Sequence, residues 1–212
     1  MAAEARVIDI EALVALAVTF SSRRHIIAIA GAPGSGKSTA SEILTAQLNA
    51  VCPGSAAILP MDGYHYDDVI LNERGLRSRK GAPDTFDVGG LKQMLTRLKQ
   101  NDEDEIAAPV FDRSLELSRG SARMIANTVR VIVVEGNYLL LNRRPWSELR
   151  SAFDTTVMIK TSEEVLRERL TKRWKDYALS PDEVNAKVEL NDLLNGRFVL
   201  NNSITPDFLL IG

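Results

Sequence analysis

The chain has 212 residues, 45% of them hydrophobic and 25% charged, with a formal net charge of −2, which suits one globular domain, or one domain with a small lid. That charge implies neither the basic patch needed for nucleic acid nor a polybasic anchor for an acidic membrane. The longest apolar runs, such as Ala28 to Ala30 and Val131 to Val134, are far too short to cross a bilayer.

The first residues lack the basic and apolar regions of a secretory signal. Cys52 is the only cysteine, so no internal disulfide forms; it sits before Pro53-Gly54 with nothing to pair with and is read as inert. These features place the expected location in the cytoplasm. Ile10, Leu13, Val14, Ala17 and Val18 follow the spacing of an amphipathic helix, so residues 1–24 are expected to be a helical extension. His25 to Ala30 is a short β-branched run and predicts a buried strand, with His25 structural. A glycine-rich turn, Gly31 to Gly36, comes next. Ala40, Ile43, Leu44 and Leu48 mark a helix closed by Pro53-Gly54.

Ala57 to Met61 predicts a second strand, ending at Asp62-Gly63. Residues 72–90 are rich in glycine, proline and charge and predict a functional loop. Leu91, Met94, Leu95 and Leu98 predict a helix. Ile106 to Phe111 predicts a strand, and Arg123 to Asn127 is a candidate to pair with a neighbour. Val129 to Val134 is the clearest buried strand and ends in Glu135-Gly136. Phe153 to Lys160 predicts another strand, and Thr161 to Tyr177 a charged helix. Ser180-Pro181-Asp182-Glu183 has the form of a capped helix start. Phe208 to Ile211 is the last strand. Strands alternating with helices predict an α/β fold with a mainly parallel sheet.

Gly31-Ala32-Pro33-Gly34-Ser35-Gly36-Lys37-Ser38-Thr39 matches G-x-x-x-x-G-K-[ST] in full, and the strand before it and helix after it supply the context the motif needs. Glycines let the backbone wrap a phosphate and aim N–H groups at it. The helix N-terminus adds unpaired donors and a favourable dipole. Lys37 reaches the β and γ phosphates, and Ser38 offers a hard oxygen to Mg²⁺. ATP and Mg²⁺ are therefore the expected donor and metal.

Ligands in parallel sheets sit at the carboxyl ends of the strands, where Asp62 and Glu135 lie. Glu135 stands where a Walker B carboxylate belongs, near Mg²⁺; the alternative is a capping or loop carboxylate. Asp62 is placed to hold an acceptor hydroxyl and take its proton, or else is an Asp-Gly turn residue. Tyr64, His65 and Tyr66 are candidates to line an acceptor pocket, or packing residues. Arg169 and Arg173 are four apart and share a helix face, with Arg167 pointing elsewhere. They either stabilise charge on the transferred phosphoryl group or belong to a solvated face with Glu163, Glu164 and Glu168. Arg113 and Arg119 raise the same question on the acceptor side.

Five segments together resemble a known family: Gly31 to Thr39, Met61 to Tyr66, Gly81 to Asp87, Pro109 to Arg113 and Val133 to Leu141. They are similar to the uridine kinase, phosphoribulokinase and bacterial-type pantothenate kinase family, nearest the bacterial fructose transport system kinase-like proteins. The resemblance runs from about His25 to the C-terminus. It implies a P-loop NTPase three-layer fold with a mainly parallel five-stranded sheet and a helical lid over about residues 161–195. It implies that Asp62 orients and deprotonates the acceptor hydroxyl, that Glu135 lies near the metal, and that Asp84, Phe86, Asp112, Arg113 and Tyr138 shape the acceptor pocket. The spacing Arg167, Arg169, Arg173 departs from the uridine kinase lid, and Pro109 to Arg113 lacks the tyrosine that uridine kinases place before the aspartate. Both departures weaken a nucleoside as acceptor. The segment Asn191, Asp192 and Asn195 is similar to the fructose-transport subgroup instead.

The expected activity is ATP-dependent phosphorylation of a hydroxyl on a sugar, polyol, nucleoside or pantothenate-like metabolite. A regulatory P-loop NTPase and a nucleoside monophosphate kinase are the alternatives; the sequence has no Asn-Lys-x-Asp guanine reader. The partner expected is a small hydroxyl acceptor, without nucleic acid or membrane, and a homodimer stays open.

Overall fold

The structure, a computed structural model, describes residues 4–20 and 23–212. A short strand β1 (Arg6–Ile8) leads into α1 (Ile10–Val18), which starts on Asp9, whose carboxylate accepts the Ala12 N–H. β2 (His25–Gly31), the glycine turn and α2 (Lys37–Val51) follow, then β3 (Ala56–Pro60) and a 3₁₀ turn over Met61–Tyr64. Residues 72–90 were expected to be a loop throughout. They instead carry the end of α3 (Asp68–Glu73), two 3₁₀ turns and the start of α4 (Val88–Gln100). The Asp67 and Asp87 carboxylates start these two helices by accepting the N–H groups of Val69 and Gly90, a local bond that composition alone does not show.

β4 (Glu105–Asp112) and β5 (Leu117–Ala126) form an antiparallel hairpin separate from the main sheet. Next come β6 (Val131–Gly136), β7 (Thr155–Lys160), α5 (Glu163–Asp176) and α6 (Pro181–Lys187). A wide π-type turn over Val188–Asp192 then passes into α7 (Leu193–Asn202), and β8 (Phe208–Ile211) ends the chain.

The main sheet is parallel in every pairing, in the order β1-β8-β7-β2-β6-β3. Five strands were expected and six are present among the described residues. The sixth is β1, inside the segment expected to be helical only. Its three residues are too few to show a period, and they become a strand by pairing with the open edge of β8, Val7 opposite Leu209.

The core lies on both faces of the sheet. Ile26, Ala28, Ile132 and Val134 pack on α4, the hairpin and Trp146, while Ile27, Ile29, Val131 and Val133 pack on α1 and α2. Burial on both faces explains why these strands read as unbroken apolar runs. Side chains such as Leu44 and Leu95 are fully buried, each stabilising by about 1.5–3 kcal/mol relative to exposure. A third cluster joins Leu166 and Leu170 of α5 to Val184, Val188, Leu193 and Ala32 of the glycine turn, so the α5–α7 unit sits directly on that turn. No helix among the described residues is long and apolar enough to cross a membrane.

Candidate active site

The glycine turn joins the end of β2 to α2. Gly36 caps α2 with φ 94° and no side-chain bond, so the first N–H groups of the helix stay open to an anion. Lys37 is buried, and its Nζ donates to Ala32 O at 2.9 Å. Burial pulls the Lys37 ammonium down to about 8, against the opposing charges of Glu135 and Asp62. Glu135, at the end of β6, is pushed up by burial first and then by Asp62, while Lys37, Arg113 and the Ser38 hydroxyl oppose the rise. Lys37 and Glu135 thus influence one another across the cleft that both line.

Asp62 follows β3, next to β6 in the sheet. Its Oδ2 accepts from Arg113 Nη2 at 2.7 Å, and among the described residues its Oδ1 has no hydrogen-bond partner. Gly63 is required here, since a Cβ on it would come within 2.5 Å of Pro109 O in β4. This close approach sets the hairpin, and with it Arg113, over Asp62. His65 Nδ1 donates to Asp62 O at 2.8 Å, and its ring packs on Phe86 and Phe111 with centroids 4.0 and 4.7 Å apart.

One cleft of about 200 Å³ is lined by Gly34, Gly36, Lys37, Ser38, Thr39, Asp62, His65, Phe86, Arg113, Glu135 and Arg173. Gly31, Ala32 and Ser35 form the base of the same turn, Gly31 lying where a Cβ would meet Ser35 Oγ at 2.6 Å. Arg169 lines an adjoining cavity, which Arg173 also reaches. Arg167 turns away to Glu189 and Glu163.

Other predicted residues are placed elsewhere. Tyr64 is buried in the core beneath the cleft. Burial pushes its hydroxyl upward, with Asp87 adding to the rise. Tyr138 is wholly buried and donates to Gly81 O at 2.6 Å, fixing the loop behind Phe86. Asp84 faces solvent and pairs with Arg143. Asp112 organises the β4–β5 turn, accepting from Ser114, Leu115 and Arg119. Arg119 is thereby held outside the cleft. In each case the residue belongs to a segment that shapes the site, but its side chain is committed to packing, to a turn or, for Asp84, to a surface ion pair.

The cleft also contains residues not singled out as site candidates from the sequence: Arg77, Lys80, Phe111, Glu116, Asn137, Trp174 and Lys187. Arg77 and Lys80 lie in the glycine- and proline-rich stretch, which was one available signal. Both are anchored by Asp68. Asn191, Asp192 and Asn195 come in from the π-type turn and α7, and Asp192 accepts from Trp174 Nε1 at 2.7 Å.

Residues 27–187 match the family model described as an AAA domain. A protein of Schizosaccharomyces pombe named "Putative uridine kinase C227.14" is 33% identical over 195 residues, covering 89% of this chain and 83% of that one. The chain belongs to the uridine kinase, phosphoribulokinase and pantothenate kinase family of P-loop kinases. YggC of Escherichia coli is 35% identical to the kinase over 193 residues, covering 90% of this chain and 79% of that one. A crystal structure titled as a "putative fructose transport system kinase" from Silicibacter sp. TM1040 superposes with a TM-score of 0.87 at 35% identity, covering 97% of the kinase and 99% of that chain. An ATP-dependent kinase is the activity that the P-loop domain and these relatives support.

Proposed function

We propose that the kinase transfers the γ-phosphoryl group of ATP to a hydroxyl of a small metabolite held in the cleft, with Asp62 as general base. The observation that carries this reading is that Asp62 lines the same cleft as Lys37 and the glycine turn, with only its Oδ2 engaged, by Arg113, among the described residues. Arg113 holds the other oxygen and so orients the carboxylate. The acceptor oxygen bonds to the γ-phosphorus, the bond from that phosphorus to the β–γ bridging oxygen breaks, and ADP leaves with the electron pair. The acceptor proton passes to Asp62 and then to water.

Lys37 and the open N–H groups of α2 hold the triphosphate. Arg173, on the α5–α7 unit and in the cleft, faces charge on the transferred group, while Arg169 lines the adjoining cavity. Among the described residues no three His, Cys, Asp or Glu side chains cluster as a metal cage. Ser38 and Glu135 offer two hard oxygens beside the phosphate turn, which fits Mg²⁺ bound mainly by phosphates and water. When bound, that ion would neutralise phosphate charge.

His65, Phe86 and Phe111 give the acceptor pocket an aromatic floor, with Lys80, Arg77 and Arg113 at its rim. A sugar, polyol, nucleoside or pantothenate-like acceptor suits it. The names of the relatives point to a nucleoside and to a fructose-linked acceptor. The monophosphate-kinase alternative needs a free pair of cations, and Arg113 and Arg119 are each engaged by an aspartate. A purely regulatory NTPase would leave Asp62 and the pocket beside it without a role.

Asp62→Asn keeps the shape but cannot accept the proton. Phosphorylation across a panel of sugars, polyols, nucleosides and pantothenate should fall about 10²–10⁴-fold, with ATP affinity by calorimetry nearly unchanged. Near-native transfer by the folded variant would reduce Asp62 to a turn residue.

A further inference from the structure

The cavity that Arg169 lines is larger than the cleft, at about 780 Å³, and it begins where the cleft ends: Gly34, Gly36, Thr39 and Arg173 border both. We propose that the β1–α1 elbow, residues 7–11, forms one wall of the site for the base and ribose of the donor nucleotide. The proposal rests on the reading of ATP as donor, and adds a role for a segment that lies wholly outside residues 27–187, the part matched by the family.

A triphosphate seated on the glycine turn must send its nucleoside away from the acceptor side. This cavity stays against protein and continues directly from Gly36 and Thr39. Its volume falls in the range of small-molecule sites, about 300–1,000 Å³. Its faces suit a flat ring. Ile8 and Ile10 of the elbow stand with Ile43 of α2 and Ile211 of β8. Ile43 is 39% exposed and Ile211 64% exposed, a cluster of open apolar surface that a purine would cover. Arg169 borders the same space, with its Nη1 3.8 Å from the position of a Cβ on Gly36. A planar guanidinium there can stack on an aromatic ring or meet the α-phosphate.

The elbow is built to hold its place before any ligand arrives. β1 pairs with β8 in register, Ile8 opposite Leu210. Asp9 Oδ1 accepts the Ala12 N–H at 2.7 Å and fixes the start of α1. Leu13 and Ala17 anchor α1 in the core against α2. A preformed wall lowers the ordering cost of binding, so the base should contribute to affinity through it.

The test compares ATP with inorganic tripolyphosphate, which has the phosphates and no base. On the unmodified chain, hydrogen exchange of amides in residues 7–13 should slow with ATP and stay unchanged with tripolyphosphate. In a chain lacking residues 1–9, ATP affinity should drop about tenfold or more while tripolyphosphate affinity changes less than twofold. If the shortened chain does not fold, the exchange measurement decides alone. Equal loss for both ligands, or ATP binding that leaves the elbow unprotected, overturns the proposal and leaves the P-loop reading intact. If neither ligand binds the unmodified chain, the P-loop reading fails and the elbow proposal goes with it.

Discussion

Arg24 is buried and among the described residues meets no carboxylate. Its guanidinium donates instead to Val129 O at 2.9 Å, Leu98 O at 3.1 Å and Ala126 O at 2.7 Å. One side chain thereby closes the end of α4 and the β5–β6 connection against the start of β2. Burial pulls its pKa down, and Arg130 adds to this, yet three aligned carbonyls keep the charge in place. Arg24→Ala leaves those acceptors dry and unpaired, and we expect it to cost about 3 kcal/mol. Urea unfolding should show a lower midpoint at unchanged slope, while the folded variant keeps its affinity for ATP. A loss below about 1 kcal/mol would mean that water takes over the three carbonyls. His25, next along the chain, is equally structural, stacked on Phe20 at 3.6 Å and bonded to Thr155.

At the level of elements, the α5–α7 unit is tied together by charge at its surface. Glu163 on α5 accepts from Arg167 and from Arg197 of α7, and Arg167 also donates to Glu189 in the π-type turn. Hydrogen bonds from Arg197, then Arg167, hold the Glu163 carboxyl down at about 2, against an ordinary 4.5. A depressed folded value stabilises the ionised form, so the contribution is fully present above about pH 4.5 and is lost as pH falls toward 2. Exposed pairs are individually weak, so the effect is read by comparison. The stability gap between the native chain and Glu163→Gln should be widest near pH 6 and should shrink between pH 4.5 and 2. A gap of constant size would show that Glu163 acts by packing. The β4–β5 hairpin is the other element that shapes the site, because its Pro109 carbonyl presses on Gly63.

For the whole molecule, the proposed donor site lies where sheet, glycine turn and the α5–α7 unit meet, so filling it should brace all three. A ligand that binds only the folded chain stabilises by about 2.7 kcal/mol at one hundred times its dissociation constant. ATP with Mg²⁺ should raise the melting temperature, ATP with a chelator should raise it less, and Lys37→Ala should abolish most of the shift. A shift in the native chain that ignores the chelator would remove Mg²⁺ from the proposed site.

The glycine turn between β2 and α2 was legible because its signal is local. Gly31 to Thr39 is contiguous, and its function needs only a strand before it, a helix after it and backbone N–H groups between. The α/β class and the long buried strands were legible for a similar reason, since apolar runs and helical spacing are written along the chain. The six-stranded count was not, because Arg6–Ile8 is a strand only against β8. Nor was the side of the cleft proposed for the acceptor. Asp62 and Arg113 are 51 residues apart and meet through the hairpin. Asp84, Asp112, Arg119, Tyr64 and Tyr138 sit in the expected segments, yet their side chains were claimed by Arg143, by a turn or by the core. Which way a side chain faces depends on what packs against it from distant parts of the chain, and that choice belongs to the tertiary structure alone.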